Sequence, residues 1–124
     1  MEAFIRNGTE DTPNMEFNPG SREFMISGRS LPENALSFYA PAIEWMKKYA
    51  AEPLPETEFK VSLEYFNSSS VKQLLTLFSV LEELHKSGKK ASITWYYTEG
   101  DDLMEIKGQE FQSMVEVLFN LRAL

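Results

Sequence analysis

The chain has 124 residues, 43% of them hydrophobic and 13% aromatic, with 12 basic against 19 acidic side chains and a net charge of −7. That is the size of one ordinary domain, and the apolar content excludes a disordered tail. The absence of cysteine and the single histidine, His85, exclude disulfide scaffolds, thiolate zinc sites and cysteine nucleophiles.

Residues 1–12 are polar and read as loosely held, with Phe4 and Ile5 as edge contacts. Asn18-Pro19-Gly20-Ser21 is a turn signal between Asn14–Phe17 and Arg22–Ser27, so these segments predict an N-terminal hairpin that Gly28 ends. Ser30 with Glu33 three residues later fits a capping box, and Asn34 is a rival cap. A helix is predicted from there to about Ala50. Leu36, Tyr39, Ile43, Met46 and Ala50 lie on one face of it. Pro41 lacks an amide proton and predicts either a kink or a later helix start, while Pro53 and Pro55 close the element.

Residues 58–66 alternate, placing Phe59, Val61, Leu63 and Tyr65 on one face of a strand. A helix over 70–86 carries the stripe Val71, Leu74, Leu75, Phe78, Leu81 and Leu84, and Ser87-Gly88 stops it. Residues 91–97 alternate again. Strand, helix and strand joined by short loops predict a right-handed βαβ unit with parallel strands. A helix over 103–114, weakened by Gly108, and a strand over 116–121 complete the chain. The expected fold is a single α/β domain with a mixed sheet of four to five strands and helices packed against it.

The acidic balance repels phosphate backbones, and no basic stripe is present, so nucleic acid is excluded as a partner. Lys47-Lys48 and the trio Lys86, Lys89, Lys90 sit where helix C-termini favour cations. No stretch approaches the roughly 18 apolar residues needed to cross a bilayer. Without cysteine or an export-like leader, a cytoplasmic location is expected, with no membrane insertion. His85 reads as a helix-end residue. Glu82-Glu83 and Asp101-Asp102 are adjacent pairs, which point about 100° apart on a helix and form no carboxylate dyad. No phosphate loop, nucleophile elbow or H-E-x-x-H motif occurs. A non-enzyme without cofactor or metal is therefore expected.

The most informative segment is Asn67-Ser68-Ser69-Ser70, between a strand end and a helix start. Functional sites gather at this edge of α/β sheets. One reading makes these residues helix caps. The other makes one hydroxyl a phosphorylation site, because a helix N-terminus stabilises the added charge. The surface centred on Ser68, Ser69 and Lys72 is then the expected partner-binding region.

Thr12-Pro13, Phe17-Asn18-Pro19, Phe24-Met25-Ile26-Ser27-Gly28-Arg29-Ser30, Pro32-Glu33-Asn34, Ile43-Glu44-Trp45, Tyr65-Phe66-Asn67-Ser68-Ser69-Ser70 and Trp95-Tyr96-Tyr97 occur in an order and spacing that are specific together. From about Thr12 to Leu121 the chain thereby resembles the SiaC family of bacterial regulatory phosphoproteins. That family is similar in fold logic to the STAS-type anti-sigma factor antagonists, from whose Asp-Ser-Ser/Thr-Gly run Asn67 departs. The family's switch residue is the hydroxyl amino acid after the Asn at the strand end, commonly Thr. The resemblance places it on Ser68, and implies a surface with Asn67, Ser69, Ser70 and Lys72 around it and Glu33 and Asn34 at its border.

The resemblance implies a STAS-like domain acting as a partner switch. Its implied partners are a cognate serine/threonine kinase of the anti-sigma type, a PP2C-type phosphatase and an effector such as a diguanylate cyclase, activated by the unmodified form. The alternative is a constitutive protein–protein interaction domain in which Ser68 is only a helix cap.

Overall fold

The computed structural model describes residues 1–124. The alternating and helical patterns resolve into β1 (Phe4–Arg6), β2 (Asn14–Asn18), β3 (Glu23–Ser30), α1 (Ala35–Ala51), β4 (Glu56–Phe66), α2 (Ser68–Lys86), β5 (Lys90–Tyr97), α3 (Asp102–Met114) and β6 (Leu118–Ala123). The six strands form one sheet in sequence order. The first two pairings are antiparallel and the last three parallel. Each parallel connection steps to the next strand in the same direction. Right-handed crossovers therefore stack all three helices on one face.

That one-sidedness explains why parallel strands alternate so cleanly here, although buried parallel strands usually read as continuous apolar runs. Phe59, Val61 and Leu63 of β4 and Ala91, Ile93 and Trp95 of β5 point into a single apolar core with Leu74, Phe78 and Leu81 of α2. The opposite face of the sheet carries a cross-strand row of Glu16, Met25, Lys60, Thr94 and Asn120. No helix covers it.

The predicted hairpin and βαβ unit are present, with β4 starting at Glu56, α2 at Ser68 and β5 at Lys90. The strand number is six rather than four to five. The additional strand is β1, three residues long and too short for any periodicity to reveal. Tertiary contacts hold it: Phe4 stacks on Phe17, and the Arg6 guanidinium lies over the Phe4 and Phe38 rings while donating to the Phe38 carbonyl.

Other differences have local causes. β3 runs past Gly28, which takes φ +97°, and continues to Ser30. Ser30 is thus buried at a strand end, and Asn34 caps α1. Pro41 lies inside an uninterrupted α1. Ser37, whose carbonyl it leaves without an amide partner, is exposed, so solvent can satisfy that carbonyl. In β4 the register with β3 slips between Gly28/Leu63 and Arg29/Tyr65. This bulge turns Tyr65 outward, to 45% exposure, and Phe66 inward. Leu36, expected on the core face of α1, is 69% exposed. Gly108 is a packing residue more than a weak point, because a Cβ there would lie 2.5 Å from Trp95 Cδ1. No helix is long and apolar enough to cross a membrane.

Candidate functional site

The carboxyl ends of β3 and β4 lie side by side, with Ser30 opposite Phe66. The chain then leaves β4 through Asn67, which adopts extended backbone (φ −84°, ψ 166°) and caps α2. Asn67 Oδ1 accepts from the Ser70 amide at 3.1 Å, the Ser70 hydroxyl at 2.6 Å and the Ser69 hydroxyl at 3.1 Å. Its Nδ2 donates to the Pro32 carbonyl at 3.3 Å, and its backbone N–H donates to the Ser30 carbonyl at 2.9 Å. One side chain therefore ties the Pro32-Glu33-Asn34 loop to the head of α2. That proximity is tertiary and could not be read from spacing.

Beneath Asn67 lies a buried hydroxyl chain. Ser70 Oγ sits 2.9 Å from Ser30 Oγ, which sits 2.6 Å from the Tyr39 hydroxyl. All three residues are fully buried. Burial pushes the Tyr39 phenol up to about 12, against the smaller opposing pull of its hydrogen bonds with the two serines. No buried polar side-chain atom in the protein lacks a partner. By spacing alone Ser30 reads as a cap and Tyr39 as a core aromatic, so local pattern does not mark either as a site residue. The available signal was that a buried tyrosine needs a partner for its hydroxyl.

Ser68 is placed differently. It is the first residue of α2, is exposed, and takes no part in the network around Asn67. Asn67, not Ser68, is the helix cap, which corrects the reading of Ser68 as a cap: the Asn carbonyl reaches N3 in the geometry that Ser68 would need. Ser69 and Lys72 are also exposed, whereas Ser70 is inside. Lys72 lies one turn after Ser68 on the same side of α2. The first turn of α2 contains no acidic residue, so no carboxylate within it offsets the positive end of its dipole. Asn34 and Glu33 are exposed, and Asn34 Oδ1 accepts from the Ser37 amide at 3.1 Å.

This corner can present a hydroxyl on a firm base, but it assembles no general base or nucleophile pair. His85 is exposed at the far end of α2. No group of three or more His, Cys, Asp or Glu side chains is placed to hold a metal ion.

A family profile described as "SiaC family regulatory phosphoprotein" matches residues 6–124. The chain belongs to the SiaC family. Similar solved structures include apo-SiaC from Pseudomonas aeruginosa, 26% identical, with a TM-score of 0.91 over 99% of this chain and all of that one. Another is SiaC from the same organism in complex with the diguanylate cyclase SiaD, whose activator it is, at 26% identity and a TM-score of 0.91 over 98% of this chain and 99% of that one. An uncharacterised protein of Pseudomonas aeruginosa strain UCBPP-PA14 is 27% identical over 94% of this chain and 92% of its own length. The SiaC fold thus extends across essentially the whole chain, including the short strand β1.

Proposed function

We propose that this SiaC-family protein is a non-enzymatic, phosphorylation-controlled partner switch acting in the cytoplasm. Its unmodified form binds and activates an effector such as a diguanylate cyclase. A cognate serine/threonine kinase of the anti-sigma type phosphorylates Ser68 and releases the effector, and a PP2C-type phosphatase reverses the step. The observation that carries this reading is the contrast at the corner. Ser68 is exposed at the first position of α2, while its neighbours Asn67 and Ser70 are committed to holding the structure.

Physical chemistry supports the position. A phosphate on Ser68 would face the amide end of α2 and lie one turn from Lys72. Its charge would take the net charge from −7 to roughly −9, a small change in bulk that acts locally. The surface formed by Ser68, Ser69, Lys72, Glu33 and Asn34 meets the partner, and Asn67 and Ser70 hold it from beneath. The solved complex of the similar SiaC with a diguanylate cyclase supports an effector of that class.

Mass spectrometry of the protein after incubation with its kinase should find phosphate on Ser68. Ser68→Glu should weaken effector binding by about tenfold or more, equivalent to about 1.4 kcal/mol. Ser68→Ala should keep effector binding and lose control by the kinase. Phosphate found only elsewhere, with Ser68→Ala still under kinase control, would overturn the assignment.

A further inference from the structure

Next to the Ser68 corner, α1 and α2 leave a surface groove of about 420 Å³ between them. Its α1 wall is Leu36, Ile43 and Lys47, and its α2 wall is Lys72, Gln73 and Thr76. Three features of this groove, taken together beside Ser68, suit a docked segment. Leu36 is 69% exposed at the groove's head, on a helix whose other large aliphatic and aromatic side chains are buried or half-buried. Gln73 is only 6% exposed, yet its amide bonds to nothing within the chain. Since every fully buried polar atom is satisfied, that amide opens onto the groove. Lys47 and Lys72 belong to no ion pair, whereas Glu44, the one acidic residue of the lining, is paired with Lys48 at 3.4 Å. In a chain of net charge −7 this is a locally positive, apolar-floored channel.

We infer that the α1–α2 groove is where the partner docks, and that it takes an amphipathic helix with an apolar ridge and an acidic rim. This rests on the partner-switch reading above and deepens it by naming the chemistry of the docked segment. The ridge would seat against Leu36 and Ile43, in the manner of helix-in-groove recognition. The acidic rim would meet Lys47 and Lys72, and the Gln73 amide would take up a polar group of the helix. The groove also explains how Ser68 exerts control. Lys72 lies four residues after Ser68, within reach of a phosphate there. A phosphate of charge about −1.5 to −2 would engage Lys72 and reverse the sign of the groove's upper end. An acidic rim is then repelled without any change of fold.

The test uses the full chain, labelled with nitrogen-15, and two synthetic twenty-residue helical peptides sharing one leucine stripe. One has glutamate rims and the other lysine rims. The glutamate peptide is expected to shift amide resonances at residues 36–47 and 72–76 and to bind at least tenfold tighter than the lysine peptide. The preference should shrink as salt rises and should invert in a Lys47→Glu/Lys72→Glu variant. Ser68→Glu should weaken the glutamate peptide severalfold. Binding by neither peptide, equal binding of the two, or shifts centred elsewhere would overturn the groove assignment. The two readings separate cleanly. Groove binding that ignores Ser68→Glu removes Ser68 as its control, whereas an effector complex lost on phosphorylation without groove binding leaves the switch and removes the groove.

Discussion

The heads of α1 and α2 use the same chemistry in different settings. Asn34 and Asn67 each accept the amide three residues on, both at 3.1 Å. Asn34 is exposed and serves only its own helix. Asn67 also holds the Pro32 loop, the Ser30 strand end and two serine hydroxyls. A cap of the first kind completes a helix, and a cap of the second kind joins two crossovers. The serine after the second cap is therefore displayed from a base that resists local opening. A modification there would change the surface and leave these hydrogen bonds in place.

Breaking the second cap should be the costliest test of that difference. Asn67→Ala removes a cap together with the side-chain hydrogen bonds to the Pro32 carbonyl and the Ser69 and Ser70 hydroxyls, so urea unfolding should show a loss of about 3 kcal/mol. A loss no larger than that of Asn34→Ala would mean that the extra hydrogen bonds contribute nothing. The hydroxyl chain under Asn67 can be probed by pH. Tyr39 ordinarily titrates at 10.0 and is raised to about 12 in the folded protein by burial. The native state keeps a proton that the unfolded chain releases. Stability from this group is therefore intact below pH 10 and declines as pH rises towards about 12. The decline should total roughly 2 kcal/mol. Tyr39→Phe should flatten that part of the pH–stability curve relative to wild type, and an unchanged slope would refute the burial argument.

Asn34→Ala should cost about 1 kcal/mol, the ordinary value for an exposed cap. The smallest effect is expected for Ser68→Ala, under about 0.5 kcal/mol in the same unfolding experiment. A loss as large as that of Asn34→Ala would restore Ser68 as a structural residue and weaken the contrast with Asn67.

Much of this architecture is legible in the chain because period and punctuation agree. Phe59, Val61 and Leu63 alternate, Leu74, Phe78 and Leu81 recur at helical spacing, and Gly88 stops the helix between the two strands. The βαβ unit, the hairpin around Pro19-Gly20 and the position of Asn67-Ser68 at a strand-to-helix junction all follow from such local signals. Residues whose roles depend on distant partners were not legible. β1 exists because Phe4 finds Phe17 and Arg6 finds Phe38. Tyr65 faces out because β4 bulges against β3.

At the corner itself, the residue pattern specified that a hydroxyl would stand at the head of a helix, since capping and strand-end preferences are local. Which of the three serines is free was settled by packing. Asn67 reaches over Ser68 to Ser70, and Ser70 reaches Ser30, 40 residues away in the chain, so only Ser68 is left outside the network, on the exposed surface. Composition and spacing carry no record of such a contact, because it forms only once two crossovers have been laid side by side on the sheet.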